Sequence, residues 1–250
     1  MNKTNTQYDS IALQYRGLQM DYILELLRPT YVNLIGELEH KRVLDLACGD
    51  GYYAKLFCEK GAKGVVAVDI SPEMIKLAED FNGHESIQYV TSDVADLLGK
   101  YKEEFQVVTA SFLLNYARSK EELTCFLKVI YESLKPGCRF IACNDNIKDD
   151  PSQYNEKIQA KYNYKKTLAS SKTFRSEGDL ITDEFYNDHI RCSITFPWLS
   201  PDTYDEALKT VGFSSWEWQD LHYNGSDNER KRYWEDFLLN PPIICFTATK

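Results

Sequence analysis

The chain is poor in the residues that mark several common chemistries. It has 4 His, at 40, 84, 189 and 222, with no short metal spacing between them. Its 7 Cys contain no C-x-x-C pair, so no zinc motif is present and no metal is expected. No apolar run is long enough to span a bilayer, and the opening MNKTNTQYDS lacks an apolar leader core. Neither a membrane partner nor a secretory leader is therefore expected. Positive charge is in deficit: 29 Lys plus Arg stand against 38 Asp plus Glu, a net of −9. Such a surface repels a phosphate backbone, which argues against a general nucleic-acid binder. The Cys number is odd, and most lie in apolar runs such as Val43–Cys48 and Cys138–Cys143. That is the usage of reduced, buried thiols and points to a cytoplasmic location.

What is present is a globular balance, 43% apolar and 27% charged, in a chain of 250 residues. The first half alternates strand and helix. Arg42–Cys48, Gly64–Ile70, Ile87–Ser92, Phe105–Ser111 and Cys138–Asn144 read as strands. Tyr52–Lys60 reads as a helix stopped by Gly61. Ser71-Pro72 starts a helix carrying Met74, Leu77, Ala78 and Phe81 on one face. Ser119 and Glu122 form a capping box before the stripe Leu123, Phe126, Leu127, Ile130 and Leu134, which Pro136-Gly137 ends. Repeated strand–helix–strand units imply a parallel sheet covered on both faces. Ligands of such sheets bind outside the carboxyl ends of the strands.

After Asn144 the pattern changes. Residues 145–165 read as loop and a short helix. Lys166–Arg175, Asp179–Asn187 and Arg191–Leu199 read as a small antiparallel insertion. Ser200-Pro201 starts a helix with Tyr204, Ala207, Leu208 and Val211 on one face, and Ser215–Leu221 and Ile243–Thr249 read as two last strands. With no repeat and no linker, one domain is expected.

The chemistry is concentrated in Asp45-Leu46-Ala47-Cys48-Gly49-Asp50-Gly51, where a strand turns into a helix. Gly49 and Gly51 permit a tight turn and close approach of a ligand. Asp69 ends the next strand, where a carboxylate can accept from ribose hydroxyls. Asp93 follows the third strand, where it can accept from an exocyclic amine while Val94 covers an adenine face. Gly49-Asp50-Gly51-Tyr52-Tyr53-Ala54 also fits the dinucleotide fingerprint G-x-G-x-x-G/A. The charges oppose that reading: Asp45 and Asp50 flank the turn, with Asp69 and Asp93 nearby, and like charges about 4 Å apart cost roughly 1 to 4 kcal/mol. The same carboxylates suit a cationic amine and a cationic sulfonium, both of which S-adenosylmethionine carries.

The stretches VLDLACGDG, VVAVDISPEMI, TSDVADL, FQVVTASFLLNYA and LKPGCRFIACN resemble the class I S-adenosylmethionine-dependent methyltransferases, in the family's order from Val43 to Asn144. Ala47 stands where the family's glycine pattern has its first Gly. Together, YDSIALQY, DLACGDGYY and FLLNYA resemble the toxoflavin-synthase type of N-methyltransferase. The resemblance implies a Rossmann-like α/β fold with a seven-stranded, mostly parallel sheet, helices on both faces and a small antiparallel insertion after strand five. It implies that Asp45, Ala47, Gly49 and Gly51 hold the methionine part of S-adenosylmethionine, with Ser111 beside it. Asp69, Ile70 and Met74 would hold ribose and adenine, and Asp93 and Val94 the adenine edge and face. Tyr8 and Tyr15 would close over the cofactor.

The organisation expected is a single methyltransferase domain over 1–250. Residues 1–40 form a helical lid, 41–144 the cofactor-binding core, 145–200 a substrate cap and 201–250 the rest of the core. Asn115, Tyr116, Asn144 and Asn146 lie past strands four and five and are the expected contacts of a small-molecule acceptor. The aromatics of the cap (Tyr154, Tyr162, Tyr164, Phe174, Phe185, Tyr186, Phe196, Trp198) suit a flat heteroaromatic or form the cap's own core. A ring nitrogen with a free lone pair needs no dedicated base, and no catalytic residue is assigned; His189 and His222 are unsupported by any partner. Plain structural roles stand beside each of these: helix capping for Asp45, core packing for Met74, helix packing for Tyr8 and Tyr15. Asn240-Pro241-Pro242-Ile243 reads as a rigid turn into the last strand. The alternatives are a non-catalytic S-adenosylmethionine binder and an NAD-linked oxidoreductase.

Overall fold

The strands of the first half carry apolar side chains on both faces, so they can lie only between two layers. The computed structural model describes residues 9, 12–18, 20–169 and 174–250, with the backbone alone at 14–16. Tyr8 and the Tyr15 side chain lie outside the described residues. A short helix α1 (Ala12–Gly17) and a π-helical turn (Ile23–Leu27) lead into α2 (Arg28–Ile35). There follow β1 (Arg42–Leu46), α3 (Tyr52–Glu59), β2 (Gly64–Asp69), α4 (Pro72–Asn82), β3 (Ile87–Thr91), β4 (Phe105–Ser111), α5 (Lys120–Ser133) and β5 (Leu134–Asp145). The second half runs α6 (Glu156–Lys161), β6 (Tyr164–Leu168), β7 (Leu180–Tyr186), β8 (Arg191–Pro197), α7 (Pro201–Val211), β9 (Ser215–Gln219), α8 (Asn228–Leu239) and β10 (Ile243–Thr249).

The main sheet has seven strands in the order β3-β2-β1-β4-β5-β10-β9. β10 pairs antiparallel with β5 and with β9; the other five strands are mutually parallel. Leu44, Leu46, Val66, Val108 and Phe140 face α5 and α7 and meet Leu127, Ile130 and Leu208. Val43, Val65, Val107 and Ile141 face the opposite layer and meet Tyr31, Phe57, Trp234 and Phe237. Local signals start the helices: Ser71 Oγ accepts the Met74 N–H at 3.2 Å and Ser119 Oγ accepts the Glu122 N–H at 3.3 Å. β5 begins earlier than its sequence suggests. Leu134 pairs with Phe105 and Arg139 with Val107, so the Pro136-Gly137 stretch is a bulge inside the strand.

The order reverses between β1 and β4. The carboxyl ends of β1 to β5 share one edge. The separate sheet β6-β7-β8 lies between β5 and α7 in the chain. α1 packs against β8, and its Ala12 joins Met74 and Leu77 of α4. α8 has no counterpart in the sequence reading. It seats Trp234 and Phe237, both almost fully buried, against Tyr22, Tyr162 and Tyr164. Among the described residues no helix is long and apolar enough to cross a membrane.

Candidate active site

The turn after β1 is built from backbone that ordinary side chains avoid. Ala47, Gly49 and Gly51 have φ of 54°, 55° and 79°. Ala47 holds a left-handed conformation that glycine adopts without strain. A Cβ on Gly51 would come within 2.9 Å of Ala78 Cβ and collide with the Tyr89 hydroxyl, whereas a Cβ on Gly49 would meet nothing within 4 Å. Gly49 therefore faces open space at the strand edge.

Three carboxylates stand at or just past the carboxyl ends of β1, β2 and β3. Asp69 Oδ2 accepts the Gly49 N–H at 2.8 Å and its Oδ1 accepts the Ser71 N–H at 2.9 Å. Asp93 Oδ1 accepts the Ala95 N–H at 2.9 Å and caps the turn Val94–Leu97. Asp45 is 2% exposed; its Oδ1 accepts from the Thr109 hydroxyl at 2.7 Å, and its Oδ2 is buried with no partner among the described residues. Burial pushes the Asp45 carboxyl up to about 7, against the hydrogen bond from Thr109. Ser111, half-buried at the end of β4, lies 3.3 Å from the Cys143 thiol. Ile70 is half-buried beside Asp69. Met74 and Val94 are buried, Met74 against Ala12 and Val94 in the layer below α5.

A narrow cleft opens past β4 and β5, with about 20 Å³ of room for a water-sized sphere inside it. Its apolar walls come from Met20 and Tyr22 before α2, Phe112 after β4, and Phe185, Ile194 and Phe196 of the small sheet. Phe112 has φ of 58° and its N–H bonds Cys143 O at 2.8 Å. That backbone is costly for an aromatic residue, by about 1–3 kcal/mol. Three polar residues line the cleft: Asn115, Asp145 and Asp183, which are 4%, 2% and 5% exposed.

Of the expected acceptor contacts, Asn115 lines the cleft and Tyr116 packs edge-on against Phe196 at its wall, centroids 6.1 Å apart. Asn144 and Asn146 do not join them. Asn144 points toward α7, where its amide donates to Tyr204 Oη at 3.3 Å. Asn146 donates to Pro241 O at 2.9 Å and accepts the Lys148 N–H at 3.0 Å, a loop tie that anchors the Pro241-Pro242 turn. His189 and His222 are exposed and away from the cleft. The cap aromatics divide: Phe185 and Phe196 line the cleft, Tyr162 and Tyr164 pack on α8, and Phe174 is exposed. Sequence reasoning passed over Phe112, Asp183 and Lys166. The signal available was an Asp in phase with Ile181 and Phe185, the inward register of β7.

Residues 43–137 match the family model of the methyltransferase domain. The chain is similar to a demethylmenaquinone methyltransferase of Clavibacter sepedonicus, 28% identical over 200 residues that cover 79% of this chain and 75% of that one. It is also similar to a cypemycin N-terminal methyltransferase of a Streptomyces species, 33% identical over 147 residues, 55% of this chain and 56% of the relative. The chain spans about half the length of several other curated relatives it matches. A solved S-adenosylmethionine-dependent methyltransferase from Mesorhizobium loti shares the fold, with a TM-score of 0.63 at 17% identity over 89% of this chain and 96% of that one.

The core of this chain thus matches a methyltransferase domain over residues 43–137 and shares its fold with S-adenosylmethionine-dependent methyltransferases. The residues present fit S-adenosylmethionine as a cofactor. The orphaned Asp45 Oδ2 is a ready acceptor for a cationic amine, and the space over Gly49 leaves room for the ligand's backbone contact.

Proposed function

We propose that the chain is a cytoplasmic enzyme that moves the methyl group of S-adenosylmethionine to a small-molecule acceptor seated in the cleft, at a ring nitrogen of a heteroaromatic compound. The carrying observation is the junction of the two spaces at consecutive residues. Ser111 closes β4 on the cofactor side and Phe112 begins the wall of the cleft.

In this reading Asp45, Ala47, Gly49, Gly51 and Ser111 hold the methionine part, Asp69, Ile70 and Met74 the ribose and adenine, and Asp93 and Val94 the adenine edge. Tyr8 and Tyr15 belong to the segment that closes over them. Asn115 and Tyr116 contact the acceptor. Bound here, the cofactor supplies an electrophilic methyl group. The protein's part is to hold the acceptor lone pair in line with it and to exclude water, which is where positioning contributes most. The apolar walls and narrow bore favour a compact molecule over a macromolecule, and a net charge of −9 disfavours nucleic acid. The names of the two relatives, one acting on a quinone precursor and one on an N-terminus, support acceptors of both kinds. The resemblance to toxoflavin-synthase-type enzymes supports nitrogen.

The test is mass spectrometry of a producer-cell extract incubated with the enzyme and methyl-labelled S-adenosylmethionine. The expected result is a small metabolite that gains the label at nitrogen. Label found only in protein or nucleic acid contradicts the reading.

A further inference from the structure

The polar end of the cleft has more hydrogen-bonding capacity than the fold uses. Among the described residues neither amide atom of Asn115 has a partner, and Asp145 Oδ2 and Asp183 Oδ1 are buried with no donor. Four orphaned atoms on three residues of one cleft are rare in a native interior, since each costs about 1–3 kcal/mol unless a ligand or water meets it.

The charges around them balance only if a proton is held there. Lys166 of β6 sits opposite Asp183 of β7 in the strand register. Its ammonium, however, is directed to Asp145 Oδ1 at 2.5 Å, Asp149 Oδ2 at 2.9 Å and Pro242 O at 3.2 Å. Arg175 pairs with Asp149, and the Tyr154 hydroxyl donates to Asp149 at 2.9 Å. Asp149 is therefore saturated. Two cations face three carboxylates, and Asp183 is the one that no cation of the described residues contacts, although the charge of Lys166 acts on it from nearby. Burial raises the Asp183 carboxyl well above its usual range, and Asp145 beside it raises it further. Burial raises Asp145 too, opposed by Lys166. Burial alone would depress Lys166, but Asp145 and Asp149 hold its ammonium charged. The Asp145 and Asp183 carboxyls face each other, and one proton shared between them would balance the cluster.

We propose that Asp183, Asp145 and Asn115 form the recognition site for a protonated nitrogen on the acceptor, an amine, amidine or protonated heterocycle set on a compact apolar body. This rests on the reading that the cleft takes the acceptor. A ligand cation supplies both the missing charge and the missing donors. As it binds, the proton held between the carboxyls leaves to solvent, and Asn115 turns its carbonyl or its amide to the rest of the heterocycle. A neutral alcohol would leave the shared proton in place and gain no charge pairing, and a carboxylate or phosphate would be repelled. The three residues come from the turn after β4, from β5 and from β7, so the site exists only when the small sheet is docked on the core.

The test uses the full chain saturated with S-adenosylhomocysteine, titrated with benzylamine against benzyl alcohol and with benzamidine against benzamide. Calorimetry in two buffers of different ionisation heat reads the protons released. The cations should bind at least about tenfold more tightly than their neutral isosteres and release a proton on binding. Asp183→Asn should abolish the preference and the proton release while leaving affinity for S-adenosylhomocysteine within about twofold. If that variant does not fold, the wild-type comparison still decides. Equal affinity of cations and isosteres, or no binding of any of them, overturns the inference and leaves the methyltransferase reading standing. Failure of S-adenosylhomocysteine itself to bind overturns that reading instead.

Discussion

Asp69 Oδ2 accepts the amide N–H of Gly49 at 2.8 Å, so the carboxylate that ends β2 also fixes the turn that follows β1. Each of its oxygens keeps a second lone pair, free to accept from a ligand. One residue thus shapes the turn and keeps acceptor capacity toward the space beside it. Asp69→Ala removes both functions. S-adenosylhomocysteine should bind about 10- to 100-fold more weakly, in line with about 1.5–3 kcal/mol for hydrogen bonds to a charged group. Calorimetry checks this, and unchanged affinity would remove Asp69 from the site.

The two glycines of the turn should fail in opposite ways. Gly51→Ala drives a Cβ into Ala78 and Tyr89, so it should cost stability, lowering the melting temperature by several degrees. Gly49→Ala meets no protein atom and pays only for its φ of 55°, about 1 kcal/mol. Its methyl instead enters the space left for the ligand, so it should fold and lose at least about tenfold in affinity for S-adenosylhomocysteine. Melting and titration on the same samples separate the two. A Gly49→Ala variant that binds normally would mean that the ligand lies elsewhere.

Asp45 carries a pH dependence of definite sign. Its carboxyl is raised to about 7 in the folded chain, above the value of about 3.9 in an unfolded one. Between those two values the folded state holds a proton that the unfolded state has lost. The contribution of Asp45 to stability therefore falls as pH rises from about 4 to about 7, by up to about 1.4 kcal/mol per unit. Binding has the opposite sign, because a ligand's cationic amine pairs with the ionised form. Affinity for S-adenosylhomocysteine should rise about tenfold from about pH 6 to about pH 8, and Asp45→Asn should flatten that rise. A wild-type affinity independent of pH would contradict the pairing.

The strand-and-turn grammar around Asp45–Gly51, Asp69 and Asp93 was legible because each residue sits at a strand end whose apolar run is unmistakable. Phe112 is not legible as a strained position, since nothing in its identity announces a positive φ, whereas Ala47 stands at a glycine position of the family pattern. The inward Lys166 and Asp183 were missed because charge on the covered face of a strand breaks the alternation used to orient it; only their mutual neighbourhood with Asp145 and Asp149 makes their burial tolerable. α8 was missed because its sequence, NERKRYWEDFLL, is polar and buries only Trp234 and Phe237 deeply. Asn144 and Asn146 were grouped with Asn115 by their place past a strand end. Strand parity separates them: Asp145 faces the cleft, and its neighbour Asn144 points to the opposite layer.

The central claim is that S-adenosylmethionine lies across the carboxyl ends of β1 to β4. Amide hydrogen exchange with and without S-adenosylhomocysteine, with NADH as the control ligand, tests it most directly. The account predicts slowed exchange with S-adenosylhomocysteine at residues 47–52, 69–71, 93–95 and 111–113, and also across 12–17, where Ala12 packs against Met74 and Leu77. It predicts no change with NADH. Protection by NADH at the turn 47–52, or protection by S-adenosylhomocysteine that leaves that turn and Asp69 untouched, would contradict it.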